Sequence, residues 1–243
     1  MIEQKILTRG RAAILYDARV AGKIRQEMFE PRFWRERGCV LGEASGRGTT
    51  LYVSAGDEHW VLRPYRRGGL VGRIIRRWYM FNGSARTRCF REFKVLSELH
   101  ERAMPVPLPV AAWFRRRGFA YEAALITVRI PDTMTLAQLL KKSTLAPEIW
   151  LAVGRTLRKF HSAGLRHADL NAHNILIDAG HAVYLVDMDR ARLVPPGRWQ
   201  TANLARLRRS LNKISVEEGA EFRGDADWAA LIAGYELDAS PGS

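Results

Sequence analysis

Short apolar runs dominate the first half of the chain, and helical repeats of apolar positions dominate the second. Residues 12–16 form a compact apolar run that predicts a strand, and 31–34 the start of a short helix. Residues 39–53 predict strand, glycine-rich turn and strand, and 60–63 predict a third strand. Residues 91–99 predict a helix, with Phe93, Leu96 and Leu99 on one face and Glu92 pointing elsewhere. A strand over 125–130 runs into a linker at Pro131, and 133–140 opens a helical half. The long helix predicted over 147–163 turns Ile149, Leu151, Val153, Leu157 and Phe160 to the core, with Gly164 closing it. Residues 175–177 and 183–187 are too short for helices and flank the turn residues Asp178-Ala179-Gly180, so they predict a hairpin ending on Asp187. A basic helix over 203–213 places Leu204, Leu207 and Leu211 on one face and Arg206, Arg208 and Arg209 outside. A last amphipathic helix covers 227–235, and a frayed tail 238–243. Strands first and helices after predict an α+β chain in two parts, 1–128 and 129–243.

Composition narrows the partners. Hydrophobic residues make up 47% of the 243 and charged residues 26%, an ordinary globular balance. Thirty-nine basic residues against 25 acidic ones give a net charge of +14. Such a field favours an anionic partner: a nucleic acid, a membrane face or an acidic substrate. No acidic residue occurs from His59 to Arg91, where arginines alternate with Trp78, Tyr79 and Phe81. That segment suits an anionic membrane surface or stacked nucleic-acid bases, or is a solvated basic face over core aromatics. Cys39 and Cys89 make neither a disulfide framework nor a zinc site, which fits a reducing compartment. The N-terminus lacks the apolar core of a signal peptide. The longest uncharged apolar run, 103–114, is broken by Pro105, Pro107 and Pro109, so no membrane-spanning helix is expected.

The chemistry concentrates at 167–189. His167-Ala168-Asp169-Leu170-Asn171-Ala172-His173-Asn174 places an Asp and, five positions on, an Asn in one loop, and the hairpin then delivers Asp187. Three oxygen-bearing side chains at one sheet edge suit phosphoryl transfer, which needs a positioned acceptor hydroxyl and Mg2+ on hard oxygen ligands. The spacing resembles the catalytic loop and metal-binding Asp of the protein-kinase-like superfamily. The resemblance implies a two-lobed fold: a small antiparallel N-lobe sheet with one helix, and a mainly helical C-lobe. It implies Asp169 as base, Asn174 and Asp187 as Mg2+ ligands, and the turn Gly46-Arg47-Gly48 against ATP phosphates. Backbone groups of Val128 and Ile130 then receive adenine, with Asn171 and His173 near the γ-phosphate or substrate. His167 braces the loop or is a core histidine.

The third strand ends on Arg63 where many kinases have Lys, and no lysine occurs between Lys23 and Lys94. Arg63 can still grip phosphate and pair with Glu92. No Ala-Pro-Glu follows Asp187, and Ala168 stands where many protein kinases carry Arg; both argue against a regulated protein kinase. The whole chain is similar to the 3-deoxy-D-manno-octulosonic acid (Kdo) kinase family, related to the lipopolysaccharide core heptose kinases. The match rests on Gly46-Arg47-Gly48-Thr49, Trp60-Val61-Leu62-Arg63, Arg67-Gly68-Gly69-Leu70, Arg91-Glu92-Phe93, 106–110, 167–174 and Asp187-Met188-Asp189. It implies ATP- and Mg2+-dependent phosphorylation of the Kdo 4-hydroxyl on a lipid A precursor, peripherally on the cytoplasmic face of an inner membrane. The alternatives are a heptose kinase and a nucleic-acid-binding protein on a degenerate kinase fold.

Overall fold

The computed structural model describes residues 2–19, 24–45, 49–65, 79–81 and 83–237. The chain divides into two compact units, one of residues 1–102 with 107–129, the other of 103–106 with 130–243.

The first unit is built on an antiparallel sheet. Its strands are β1 (Gln4–Arg9), β2 (Ala12–Asp17), β3 (Val40–Ser45), β4 (Thr49–Ala55), β5 (Glu58–Pro64), β6 (Tyr79–Met80), β7 (Pro109–Arg117) and β8 (Ala120–Val128). They lie in the order β1-β2-β7-β8-β5-β4-β3, with β6 paired to β8. The Pro-broken run of 103–114 did not read as a strand, yet its second half is the buried centre of this sheet. Pro109 occupies the first position of β7, where a missing N–H disrupts the ladder least. The short helix α1 (Pro31–Glu36) buries Trp34 in a cluster with Phe29, Leu51, Leu62 and Trp113. The helix α2 (Arg88–Glu101) buries Phe93, Leu96 and Leu99 as their spacing predicts, and Glu92 with them.

The second unit is mainly helical: α3 (Leu136–Leu140), α4 (Pro147–Ser162), α5 (Trp199–Glu218) and α6 (Asp225–Leu237). Two small sheets complete it, β9 (Thr133–Thr135) with β11 (Ile175–Asp178) and β12 (Val183–Leu185), and β10 (Leu165–Arg166) with β13 (Arg192–Leu193). Residues 103–106 belong here because the Leu185 N–H donates to the Pro105 carbonyl at 3.1 Å.

The core face of α4 differs from the expected one. Trp150, Val153, Gly154, Leu157, Phe160 and His161 are buried, whereas Ile149 and Leu151 are only half-buried. The cause is the α4–α6 approach. A Cβ on Gly154 would stand 2.0 Å from the Leu231 carbonyl oxygen, and one on Gly234 2.2 Å from that of Leu151. Two facing glycines bring the helices nearly into backbone contact, and that rotates Trp150 inward. Gly164 follows α4 at φ +82°, a conformation open to glycine at least cost. It turns the chain straight into β10 and the loop beyond it.

Candidate active site

In the second unit, the loop that follows β10 is clamped from one helix face. The Asn203 side chain accepts from the His167 N–H at 3.1 Å and donates to the His167 carbonyl at 2.9 Å. Ser210 Oγ accepts from the Ala172 N–H at 3.2 Å. Arg206 donates to Asp169 Oδ1 through Nε at 3.0 Å and also through Nη2. Asn203, Arg206 and Ser210 stand at i, i+3 and i+7, so they line one stripe of α5. Leu207, Leu211 and Ile214 form the buried stripe beside it. Arg206 is exposed, as the sequence pattern expects, and it also reaches the loop, a partner that the pattern does not give.

His167 ties the loop to the hairpin. Its Nδ1 accepts from the Asp169 N–H at 3.1 Å, so Nε2 carries the proton and donates to the Val186 carbonyl at 3.1 Å. Burial lowers its pKa, which keeps the ring in this neutral tautomer. The expected bracing role and the core-histidine role are therefore one and the same. The Asp169 carbonyl accepts from both Asn171 Nδ2 and Asn174 Nδ2, each at 2.9 Å. Asn171 Oδ1 takes the His173 N–H at 2.9 Å, so its side chain is used at both ends within the loop. The His173 side chain is exposed.

Asn174 immediately precedes β11, and the Val186 N–H donates to its carbonyl at 3.0 Å, one rung beyond the Ile175–Leu185 pair. Asp187 follows that rung, so Asn174 and Asp187 leave the ladder at the same edge. The strand stops at Leu185, short of the expected Asp187, because Asp187 itself turns to φ +61°. An Asp in the left-handed region costs on the order of 1–2 kcal/mol and re-aims the chain after the ladder. With its amide nitrogen on Asp169, Asn174 turns its oxygen away from that bond. A carboxylate and an amide oxygen are hard donors of the kind Mg2+ takes. Among the described residues no group of three or more His, Cys, Asp or Glu is placed to hold a metal ion.

The first unit carries the other charged centre. Arg63, near the end of β5, pairs through Nη2 with Glu92 Oε1 of α2, and the Tyr65 hydroxyl donates to Glu92 Oε2. Glu92 is 2% exposed. Tyr65 is buried, and burial followed by the Glu92 charge pushes its pKa well above the phenol range, so it stays a donor. Its ring also takes the Arg63 and Arg88 guanidinium groups at 5.2 and 5.5 Å. Tyr65 was not anticipated; it lies two residues after Arg63, on the same side of an extended chain. The Val128 N–H donates to the Leu108 carbonyl at 2.8 Å, so the amide expected to meet adenine is already engaged. Ile130 belongs to the second unit, where its carbonyl accepts from Thr133 Oγ1 at 3.2 Å. Gly46, Arg47 and Gly48, and residues 66–78 of the basic segment, lie outside the described residues.

The lipopolysaccharide kinase (Kdo/WaaP) family profile matches residues 31–235, which span α1, the Arg63–Glu92 pair, the Asp169 loop and almost all of α6. The chain belongs to this family. It is 38% identical over 236 residues to a 3-deoxy-D-manno-octulosonic acid kinase of Vibrio vulnificus strain CMCP6, covering 97% of this chain and 99% of the relative. The 3-deoxy-D-manno-octulosonic acid kinase of Xanthomonas campestris pv. campestris strain B100 is 43% identical over 230 residues, covering 94% and 91%. That of Photobacterium profundum is 39% identical over 224 residues, covering 92% and 94%.

Proposed function

We propose that this protein is an ATP-dependent kinase that phosphorylates the 4-hydroxyl of Kdo on a Kdo-bearing lipid A precursor, in lipopolysaccharide core synthesis. The observation that carries the reading is near-full-length similarity, at 38–43% identity, to proteins named 3-deoxy-D-manno-octulosonic acid kinase. The first unit is the N-lobe and holds ATP phosphates on Arg63, steadied by Glu92 and Tyr65. The second unit is the catalytic C-lobe.

Asp169 orients the acceptor hydroxyl and takes its proton as that oxygen bonds to the γ-phosphorus. The bond from phosphorus to the β–γ bridging oxygen breaks, and ADP leaves with the electron pair. Asn174 and Asp187 would hold Mg2+, which when bound neutralises charge on the transferring phosphates. Asn171 keeps the loop in shape, and exposed His173 is the loop residue left to meet the γ-phosphate or the sugar. The experiment is direct: protein, Mg-ATP and defined acceptors bearing Kdo or heptose, with the added phosphate located by mass spectrometry. Phosphate at the Kdo 4-position is expected; phosphate only on heptose would overturn the assignment.

A lipid-linked acceptor calls for a peripheral membrane position, and the first unit offers support for one. No helix among the described residues is long and apolar enough to cross a membrane. Phe119, at the β7–β8 turn, is 89% exposed, and Met80 of β6, paired with the adjacent Ala120, is 74% exposed. Arg116 and Arg117 precede this turn, and the acid-free segment leads into β6. Apolar tips with arginines near them in the sequence suit a bilayer with anionic headgroups. Sedimentation with phosphatidylglycerol vesicles should recover the protein, and Phe119→Ser with Met80→Ser should weaken recovery. Unchanged recovery by the double variant would remove these tips from the reading.

A further inference from the structure

The base at the centre of the loop already has one of its two oxygens engaged. Arg206 lays two N–H groups on Asp169 Oδ1, and they compete there with the hydroxyl that must give up its proton. Four other contacts already fix the loop through its backbone: Asn203 on His167, Ser210 on Ala172, and Asn171 and Asn174 on the Asp169 carbonyl. Arg206 alone on the α5 stripe reaches a side-chain carboxylate, so the loop's shape does not depend on it. The pair is also wet, with Arg206 45% and Asp169 35% exposed at the side chain. An ion pair in that setting contributes little and exchanges readily for another. Asn203 and Ser210 pin α5 to the loop, so the root of the Arg206 side chain stays fixed while its head is free to turn.

Any acceptor whose hydroxyl reaches Asp169 brings its sugar ring within reach of that head. Resting on the Kdo reading above, the acceptor is a sugar acid, and its carboxylate is the same chemical group that Arg206 already holds. We propose that Arg206 is the acceptor-specificity residue of this kinase: its guanidinium moves from Asp169 to the carboxylate of the sugar acid. The move frees Oδ1 only when an acidic sugar is in place. Guanidinium suits the exchange because its planar fork binds either carboxylate with parallel N–H groups. A neutral sugar has nothing to draw Arg206 away, and so meets a base with Oδ1 still held.

The test compares the Kdo-bearing acceptor with its C1 methyl ester, using the full chain and saturating Mg-ATP. Wild-type kcat/KM should favour the acid on the order of 10–100-fold, as expected for a lost charge-assisted contact. Arg206→Ala should bring the acid-to-ester ratio close to one, chiefly by raising KM for the acid, and Arg206→Lys should give an intermediate ratio. A residue that only shaped the loop would lower both acceptors together and leave the ratio intact. An acid preference that survives in Arg206→Ala, with the wild-type melting temperature, overturns the proposal, as does equal use of acid and ester by the wild type. Both results leave the Kdo-kinase reading standing. No transfer by the wild type to either acceptor would overturn that reading, and this proposal with it.

Discussion

Two arginine–carboxylate pairs stand in this protein, and water makes them opposites. Arg63–Glu92 is sunk in the first unit: Glu92 is buried, a buried tyrosine holds its second oxygen, and Tyr65 also lies under the arginine. Arg206–Asp169 in the second unit has both partners partly in solvent. A charge held out of water must keep its partner, because losing it leaves an unsolvated ion. A charge at the surface can trade one partner for another at small cost. The same chemical pair therefore serves as a fixed fitting in one unit and as an exchangeable cover in the other.

The largest expected effect falls on the exposed pair's carboxylate. Asp169→Ala should lower turnover by about 10²–10⁴-fold, the usual span for a lost general base. Its melting temperature should stay close to wild type, since the loop is held through its backbone. Near-normal turnover in steady-state assays would take Asp169 out of the mechanism. The buried pair should respond through the fold. Glu92→Ala takes the carboxylate away from Arg63 and Tyr65, and denaturant titration should show a loss of about 3–5 kcal/mol, somewhat less if water reaches the quarter-exposed guanidinium. A variant as stable as wild type would mean that burial does not distinguish the two pairs.

Acid probes burial by another route. Burial lowers the His161 pKa from 6.5 to about 4 and also lowers that of His167. Below pH 6.5 the unfolded chain takes up protons that the folded His161 refuses. Stability should therefore fall as pH drops from about 6.5 toward 4, by up to about 3 kcal/mol from His161. His161→Gln should flatten that limb in melts taken across the range; an unaltered limb would assign it to other groups. Smaller still is the shape effect at Arg63. Arg63→Lys keeps the charge but loses the fork, and should leave a rate deficit on the order of tenfold where Arg63→Ala leaves more. Wild-type ATP kinetics for Arg63→Ala would show that another group holds the phosphates.

How far the sequence reaches follows the same division. The Arg63–Glu92 pair was legible because both residues sit at fixed places in elements with strong periods, a strand end and a helix face. That Asp169 and Asn174 share one loop, and that Asn174 and Asp187 leave the hairpin at one edge, was legible from their spacing. The α5 stripe was not, although Asn203, Arg206 and Ser210 have helical spacing. In a basic helix, an arginine beside leucines looks like any solvated arginine, and only the folded loop supplies its partner. Pro109 hid β7 because three prolines signal a break, and the one that opens a strand does no harm there. Trp150 was displaced from the predicted core face by the Gly154–Gly234 approach, a contact between distant residues that no local pattern records.

The smallest effect is the one on which the comparison turns. If the Arg206–Asp169 pair is an exchangeable cover, its removal must scarcely register in stability. The loop keeps its Asn203, Ser210, Asn171 and Asn174 bonds in Arg206→Ala, and Asp169 regains water at the face that Arg206 covered. Exposed pairs contribute about 0–1 kcal/mol, and added salt reduces even that. Denaturant titrations of Arg206→Ala and Glu92→Ala, run at low and high salt with equal m-values, set the two side by side. Arg206→Ala should sit within about 1 kcal/mol of wild type, with the gap closing as salt rises, while the Glu92→Ala deficit persists. A loss in Arg206→Ala as large as that in Glu92→Ala would make Arg206 a structural clamp. It would then have no freedom to leave Asp169, and the contrast between the two pairs would fail.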